Sequence, residues 1–593
     1  MPSFLKKLYV ILPSEDLFRI GRLSILLTIV AVMEVFGLGL ISFLLINIEN
    51  LNDAIASVYF MPALMAFFGL TAIHYTAAFC TLVIIYSVIT LLASVFIIRS
   101  LNVSGQFIGS RVRQKILNYY LEEDWMYLSH LKTSEQVSKI VNDGRQVGFV
   151  IIFSLHLFSK LILCLFIIGG LFFFDPILTM LVISTLLISY TLITILISPP
   201  IKKHGANTAK MMRESLKILN NIFSSVKEII FYDIKSKFIS NYKKVDSNLA
   251  YSEAHNAFYS QIPRFLIDSV ILIVLILVII FLSASEFDSQ KVFASISVFG
   301  LAGLKVLPSF QNIYYFYYEI IFRQAQLSNV HDIFNTINSL EITQDNVDIS
   351  LDHSITLENV SFNYGNDRPT LENINLKLNR DEKILIVGPS GSGKSTLLDL
   401  ILGLTFPNTG QIFFDETPLA IKNRICVRNN FAFVPQKVLL IEGTIKENIL
   451  FGTMLTNDNK DFFHRVVSLS RLDDVINKLP NGLDTIISES NPILSGGQKQ
   501  CIGFARAFFK KRDILVLDEA TNAMDRQLEI DLMSNISNLK YKMILAISHK
   551  NTLLEYFQKT CVLKNGKIQD YDLTSNLMNK NKFLIKMVNK KLI

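Results

Sequence analysis

Six apolar runs occupy the first 320 residues of this chain, at about 23–48, 76–98, 149–174, 176–198, 265–284 and 292–318. Each approaches or exceeds the roughly 20 residues that carry an α-helix across a hydrocarbon core. Inside that core every backbone amide must be satisfied within its own segment, so runs of this length predict membrane-spanning helices. Only 18% of the residues are charged, against about 25% in an ordinary soluble domain. The chain has 593 residues, too many for a single core, so two or more domains are expected.

The spacing of the runs is uneven. The third and fourth are separated only by a turn at Asp175 and Pro176, and the fifth and sixth by the short acidic segment 285–288. The other internal connections, 100–148 and 201–260, are long and polar, with apolar residues at helical spacing such as Ile218, Ile222, Val226, Ile230 and Ile234. A structureless loop of that length is uncommon. The membrane helices are therefore expected to continue well into the aqueous phase. Leu51 to about Ala72 is apolar but weakly patterned. It reads as an external or interfacial helix, with a broken extra span as the alternative.

No Lys or Arg occurs between Leu23 and Ile98, whereas Lys6, Lys7, Arg19 and Arg22 precede the first run. Arg99, Arg111, Arg113, Lys115, Lys202 and Lys203 fall on the two long connections. The positive-inside rule then puts both long connections and both termini in the cytoplasm. The net charge of +7 is accounted for by these loops. No basic stripe with aromatic platforms is present, so nucleic acid is not an expected partner. Cys80, Cys164, Cys426, Cys501 and Cys561 are scattered without a CxxC pair, which predicts buried thiols and neither a disulfide framework nor a zinc site. The first run is long enough to span, and no cleavable signal peptide is visible. Near residue 336 the composition changes. The expected division is a membrane domain over 1–335, a polar acidic linker over 336–352 and a soluble domain of short strands and helices over 353–593.

That soluble segment carries the chemistry. Gly388-Pro-Ser390-Gly391-Ser-Gly393-Lys394-Ser395-Thr396 fits GxxxxGK[ST], follows the apolar strand Ile384 to Val387 and opens an amphipathic helix near Lys394. Glycines let successive backbone N–H groups turn inward on phosphate oxygens, and the helix N-terminus adds its dipole. Lys394 supplies a charge for the β- and γ-phosphates, and Ser395 reaches Mg²⁺. A second apolar strand, Ile514 to Leu517, ends in Asp518 and Glu519. Asp518 can orient Mg²⁺ through its waters, and Glu519 can act as general base on the attacking water. Two solvated acids at a strand end would be the bland account. An apolar strand rarely ends in adjacent carboxylates without a cation to satisfy.

Between these motifs lies Leu494-Ser495-Gly496-Gly497-Gln498, before a helix. This order resembles the ATP-binding-cassette transporters. By that resemblance Tyr364 stacks on adenine, Gln436 reaches Mg²⁺ and the γ-phosphate, and Glu489 falls in the exporter-specific acidic loop. Asp525, in Asn522-Ala-Met-Asp525, belongs to the D-loop, and His549 is the switch histidine. A lone histidine after a strand is more often structural, but its place in the series reverses that. The resemblance covers the whole chain. It implies a membrane α-helical domain of six long transmembrane helices in the type IV exporter arrangement, followed by an α/β P-loop nucleotide-binding domain. It also implies a homodimer in which ATP lies between Lys394 of one subunit and Ser495 of the other. Cys501 stands where the family usually has Arg, a residue expected to make a surface or interdomain ion pair. Asn522 and Met524 are departures in the D-loop.

Within the spans, Glu34, His156, Lys160, Asp268 and Lys305 are ionisable. Charges at such depth face a cavity or a partner. Lys305, Glu34 and Lys160 are the substrate candidates, with mutual pairing or snorkelling as the competing account. Two stretches, Met33 to Ser42 and Ala294 to Ser309, are similar to the bacterial lipid-linked oligosaccharide flippases. That similarity implies a polyprenyl-pyrophosphate-linked glycan as substrate, membrane lipids as partners and the bacterial cytoplasmic membrane as location. Export of a peptide or another lipid, and a regulatory ATPase that transports nothing, remain the alternatives.

Overall fold

The computed structural model describes residues 3–47, 51–57, 75–123, 125–284, 289–339, 351–365, 369–488 and 493–589. The chain forms two compact units, one of residues 1–123 and 127–341, the other of 124–126 and 342–593.

In the first unit each apolar run lies inside a long helix. These are Ser14–Ile46, Tyr75–Glu122, Gly144–Phe174, Pro176–Ser224, Lys235–Ala284 and Ser289–Phe322. Among the described residues, four helices are long and apolar enough to cross a membrane, namely those holding the first four runs. The turn between the third and fourth runs is built as its composition demands. Asp175 caps the next helix by accepting from the Leu178 N–H at 3.1 Å, and Pro176 takes the first helical position, where no N–H is needed. The helices extend beyond the apolar runs, as Tyr75–Glu122 and Lys235–Ala284 illustrate. The periodic isoleucines do not share one helix, however. The chain breaks at Ser225, makes the short helix Val226–Phe231 and turns at Asp233, with φ +50°. Aspartate tolerates that left-handed conformation, so neither glycine nor proline marks the reversal. The expected external helix is described only as Leu51–Ala56. Its continuation over 58–72 lies outside the described residues, as do Glu489 and the side chain of Asp268. The helix Gln324–Ser339 runs into the segment read as a linker.

Close approach of two helices is set by glycines. A Cβ on Gly109 would lie 3.1 Å from Gly148 Cα, and one on Gly148 would lie 3.0 Å from Gly105 O. Small residues spaced by four let the helices Tyr75–Glu122 and Gly144–Phe174 cross in van der Waals contact. Around this crossing Leu101, Ile108, Ile116, Val147 and Val150 are fully buried.

The second unit carries strands β1 (Ser354–Phe362), β2 (Leu371–Asn379), β3 (Lys383–Val387), β4 (Thr409–Phe414), β5 (Thr417–Pro418) and β6 (Phe431–Val434). It continues with β7 (Gly443–Thr444), β8 (Ile486–Ile487), β9 (Ile514–Asp518), β10 (Met543–Ile547), β11 (Lys559–Lys564) and β12 (Lys567–Leu573). The large sheet has the order β12-β11-β3-β10-β9-β6, parallel except for β12. Its central strands read as unbroken apolar runs because both faces are covered. Leu385, Val387, Leu515, Leu517, Ile544 and Ala546 point into one core, and Ile384, Ile386, Ile514, Val516, Leu545 and Ile547 into the other. The first core is shared with the helix Gly496–Phe509, the second with the helix Lys394–Ile401 and the antiparallel sheet β2-β1-β4-β5. Cys164, Cys501 and Cys561 are buried and Cys80 and Cys426 half-buried, so the expected burial of the thiols is complete for only three.

Candidate nucleotide site

The carboxyl ends of adjacent parallel strands are where ligands bind in α/β sheets. Here β10 lies between β3 and β9. The residues following those three strands therefore converge: the phosphate loop after β3, Asp518 and Glu519 at the end of β9, and His549 after β10.

The phosphate loop fits its expected ligand. Gly391 has φ +77° with open space where a Cβ would stand. Gly393 has φ +98°, and its Cβ would lie 2.8 Å from the Leu371 side chain. On Gly388 a Cβ would meet Leu563 O at 2.1 Å. Only glycine permits this cradle of inward-facing amides. Among the described residues Ser392 Oγ is buried without a hydrogen-bond partner, as expected of a group that a phosphate oxygen would satisfy. The Lys394 ammonium donates to Gly388 O at 3.1 Å and Pro389 O at 3.0 Å. Burial holds its pKa below the ordinary lysine value, opposed by Glu519 and Asp518. Ser390 lies in the turn, Ser395 is exposed at the helix start, and Thr396 is buried behind it. Tyr364 donates to or accepts from Thr396 Oγ1 at 3.0 Å, with its ring edge-on to Phe362 at 5.0 Å.

Asp518 is pushed up to about 6 by burial and, to a lesser degree, by Glu519, while Lys394 pulls the other way. A carboxylate in this position gains from a bound cation, which favours its ionised form. Glu519 is gripped from three sides. Its Oε2 accepts from Gln436 Nε2 at 2.6 Å and from Asn522 Nδ2 at 2.7 Å, and its Oε1 lies 3.1 Å from His549 Nε2. Glu519 sits at φ +48°, so the chain turns between the two acids and aims their side chains apart.

Ser495–Gln498 stand elsewhere, at the start of the helix Gly496–Phe509. Ser495 N–H donates to Gln498 Oε1 at 2.8 Å, and Gln498 N–H donates back to Ser495 Oγ at 3.3 Å, a reciprocal capping box. A Cβ on Gly496 would come within 3.2 Å of Ala523 Cβ, and one on Gly497 within 3.1 Å of Ala523 O. The signature glycines thus seat the helix on the 522–524 turn. Asp525 caps the next helix through the Leu528 N–H at 2.9 Å. Sequence reasoning missed Gln500. It is buried, accepts from Ala523 N–H at 3.3 Å and donates to Gln436 O at 3.3 Å. Its place two residues after the signature was the available signal. Cys501 is a correction: it is 1% exposed within the core, so residue 501 is not a surface position, and burial pushes its thiol up to about 12.

In the membrane unit Glu34 and Lys305 meet at 3.5 Å, with half of the lysine side chain exposed. Lys160 is half-buried on the third run, in the electrostatic range of Cys164.

Two family models match the chain: the ABC transporter transmembrane region over residues 23–303 and the ABC transporter over 371–522. A putative export ATP-binding/permease protein of Rickettsia typhi is 30% identical over 537 residues, covering 84% of this chain and 86% of its own. The mitochondrial iron-sulfur clusters transporter of Debaryomyces hansenii is 36% identical over 227 residues, 38% of this chain and 32% of its own. A solved bacterial Atm1-family ABC exporter with ATP bound shares the fold, with a TM-score of 0.76 over 98% of this chain and 99% of that one at 19% identity. The chain therefore belongs to the ABC transporters, as an exporter half-transporter whose membrane domain is fused to an ATPase domain that uses ATP with Mg²⁺.

Proposed function

We propose that this exporter works as a homodimer in a bacterial cytoplasmic membrane, with both termini inside, and flips a polyprenyl-pyrophosphate-linked oligosaccharide to the outer leaflet. One observation carries the cargo. The two stretches similar to the oligosaccharide flippases, 33–42 and 294–309, lie against each other. Ala31, Ala302 and Val306 share one apolar cluster with Val35 and Leu38. Above it Lys305 is half exposed beside Glu34. An ammonium in a low-dielectric cavity attracts a doubly charged phosphate strongly, while the glycan is only loosely recognised.

In the ATPase domain, Tyr364 takes the adenine, the amides of Gly388 to Gly393 take the phosphates, and Lys394 takes the β- and γ-oxygens. Ser395 and Gln436, with Asp518 through water, would hold Mg²⁺, which would supply charge neutralisation on the phosphates. Glu519 accepts the proton of the attacking water, and His549 orients the γ-phosphate end. Ser495 to Gln498 and Asp525 close the site from the partner copy.

The test is ATPase activity and glycolipid translocation in proteoliposomes, with and without polyprenyl-pyrophosphate glycan. We expect stimulation by the glycolipid, and Lys305→Gln should abolish flipping while sparing basal hydrolysis. Stimulation by a peptide instead would assign a peptide exporter. Hydrolysis without transport of either would assign a regulatory ATPase. Normal glycolipid transport by Lys305→Gln would remove the lysine from the substrate site.

A further inference from the structure

We infer that Asn522 is a positioning residue for the catalytic carboxylate, holding Glu519 through its side-chain amide. The inference rests on the role proposed for Glu519 and is independent of the cargo. The turn after β9 is closed by Asn522 N–H donating to Glu519 O at 3.1 Å, which brings the two side chains to the same side. There Asn522 Nδ2 donates to Glu519 Oε2 at 2.7 Å. The same oxygen accepts from Gln436 Nε2 at 2.6 Å. A carboxylate oxygen has lone pairs for both donors.

The donors differ in what else is asked of them. Gln436 is proposed to turn to Mg²⁺ and the γ-phosphate, and His549 to the γ-phosphate. Asn522 has no such second duty, so it keeps the carboxylate in place when the others engage the nucleotide. A base 1 Å out of position loses rate steeply. The side chain of Glu519 is 14% exposed, so a lost donor is only partly replaced by water. The ionisable groups that face Glu519 are Lys394 from the phosphate-loop helix, Asp518 from its own strand and His549 beyond β10. None of them replaces a neutral donor on Oε2.

Asn522 also lies beside the place where the signature helix is seated. Ala523, the next residue, is the one that Gly496, Gly497 and Gln500 approach. Movement of the signature helix is therefore felt one residue from the amide that holds the base. This gives the departure from the usual D-loop sequence a chemical meaning.

The experiment uses the full chain in lipid nanodiscs and follows ATPase rate against ATP concentration. Asn522 is exposed, so its replacement opens no cavity. Loss of one hydrogen bond to a charged group should lower kcat about three- to tenfold in Asn522→Ala, with KM for ATP within about twofold. Asn522→Asp keeps the shape and replaces the donor by a second negative charge beside Oε2, so its kcat should fall at least as far as in the alanine variant. Asn522→Ser, which keeps a shorter donor, should fall between alanine and the parent. Wild-type kcat in both the alanine and aspartate variants would overturn the inference, as would a loss confined to KM. Glu519→Gln serves as the control for the base itself, with an expected loss of about 10²–10⁴-fold. If that variant keeps its turnover, the base assignment and the inference fall together. If it is inactive while the Asn522 variants are unchanged, only the inference falls.

Discussion

Replacing Asp518 by asparagine removes a carboxyl that the fold holds at about 6, against 3.8 for an ordinary aspartate. The difference would correspond to about 3 kcal/mol if fully expressed, and solvent screening at this partly open site reduces it to about 1–2 kcal/mol. The sign follows from proton linkage. The folded state binds the proton more tightly than the unfolded state, so ionisation opposes folding. The penalty is absent below about pH 3.8, grows between 3.8 and about 6, and is complete above 6. Asparagine carries none of it. Asp399, also raised to about 6 by burial and by Asp518, gains further when its charged neighbour is removed. Without Mg²⁺ and nucleotide, Asp518→Asn should therefore raise the thermal midpoint of the ATPase domain by about 3–6 °C at pH 7.5, and by about half as much at pH 5. MgATP should reverse the order at pH 7.5, because it stabilises the wild type by mass action and the variant has lost a metal-orienting carboxylate. Differential scanning fluorimetry of the full chain at the two pH values, with and without MgATP, measures all four quantities. A variant less stable than wild type at pH 7.5 without ligand, or a gap that does not change with pH, would refute the linkage.

Two further outcomes follow from packing. Cys501 borders a cavity of about 410 Å³ whose lining includes the carboxylates of Asp474, Asp525 and Asp531 beside the cations Arg471 and Lys478. Cys501→Arg should therefore fold with its midpoint within a few degrees of wild type, the guanidinium reaching those carboxylates through the cavity, and aggregation on thermal scanning would show that it cannot. On Gly205 a Cβ would stand 1.9 Å from Phe322 O, a backbone atom that cannot swing aside. Gly205→Ala should destabilise the membrane unit by about 1–3 kcal/mol, read as a lower unfolding temperature in detergent.

The nucleotide site was legible because its local geometry admits few residue types. A cradle at positive φ needs glycine, and a strand ending in two acids needs a cation, so spacing alone pointed to Gly391, Gly393, Lys394, Asp518 and Glu519. The apolar runs were legible for a similar reason: hydrocarbon leaves helices little choice. Pairings across the fold were not. Glu34 had Lys160 and Lys305 as possible partners by composition, and only the packing of the first and sixth runs selects Lys305. The reversal near 225–234 was hidden because its apolar spacing stays helical through the break, and Asp233 does the work that glycine usually signals. Position 501 was half legible: its thiol was read as buried, but the Arg usual there was placed at a surface, because the core face of this helix is set by packing with β6 and β9, which residue spacing after the signature does not report.

The left-handed backbone at Glu519 sets two kinds of selection against each other. Among the described residues ten non-glycines have positive φ, and six of them are Asn or Asp, the types that bear the conformation most easily. Glutamate is a poor occupant, and relaxing it would gain of order 1 kcal/mol. A library sorted for folding or expression should therefore enrich asparagine or glycine at position 519, while one sorted for hydrolysis should purge them. The two enrichment profiles would diverge most sharply where backbone strain and chemistry share one residue, and such divergence, mapped along the chain, would separate working positions from those that only hold the fold.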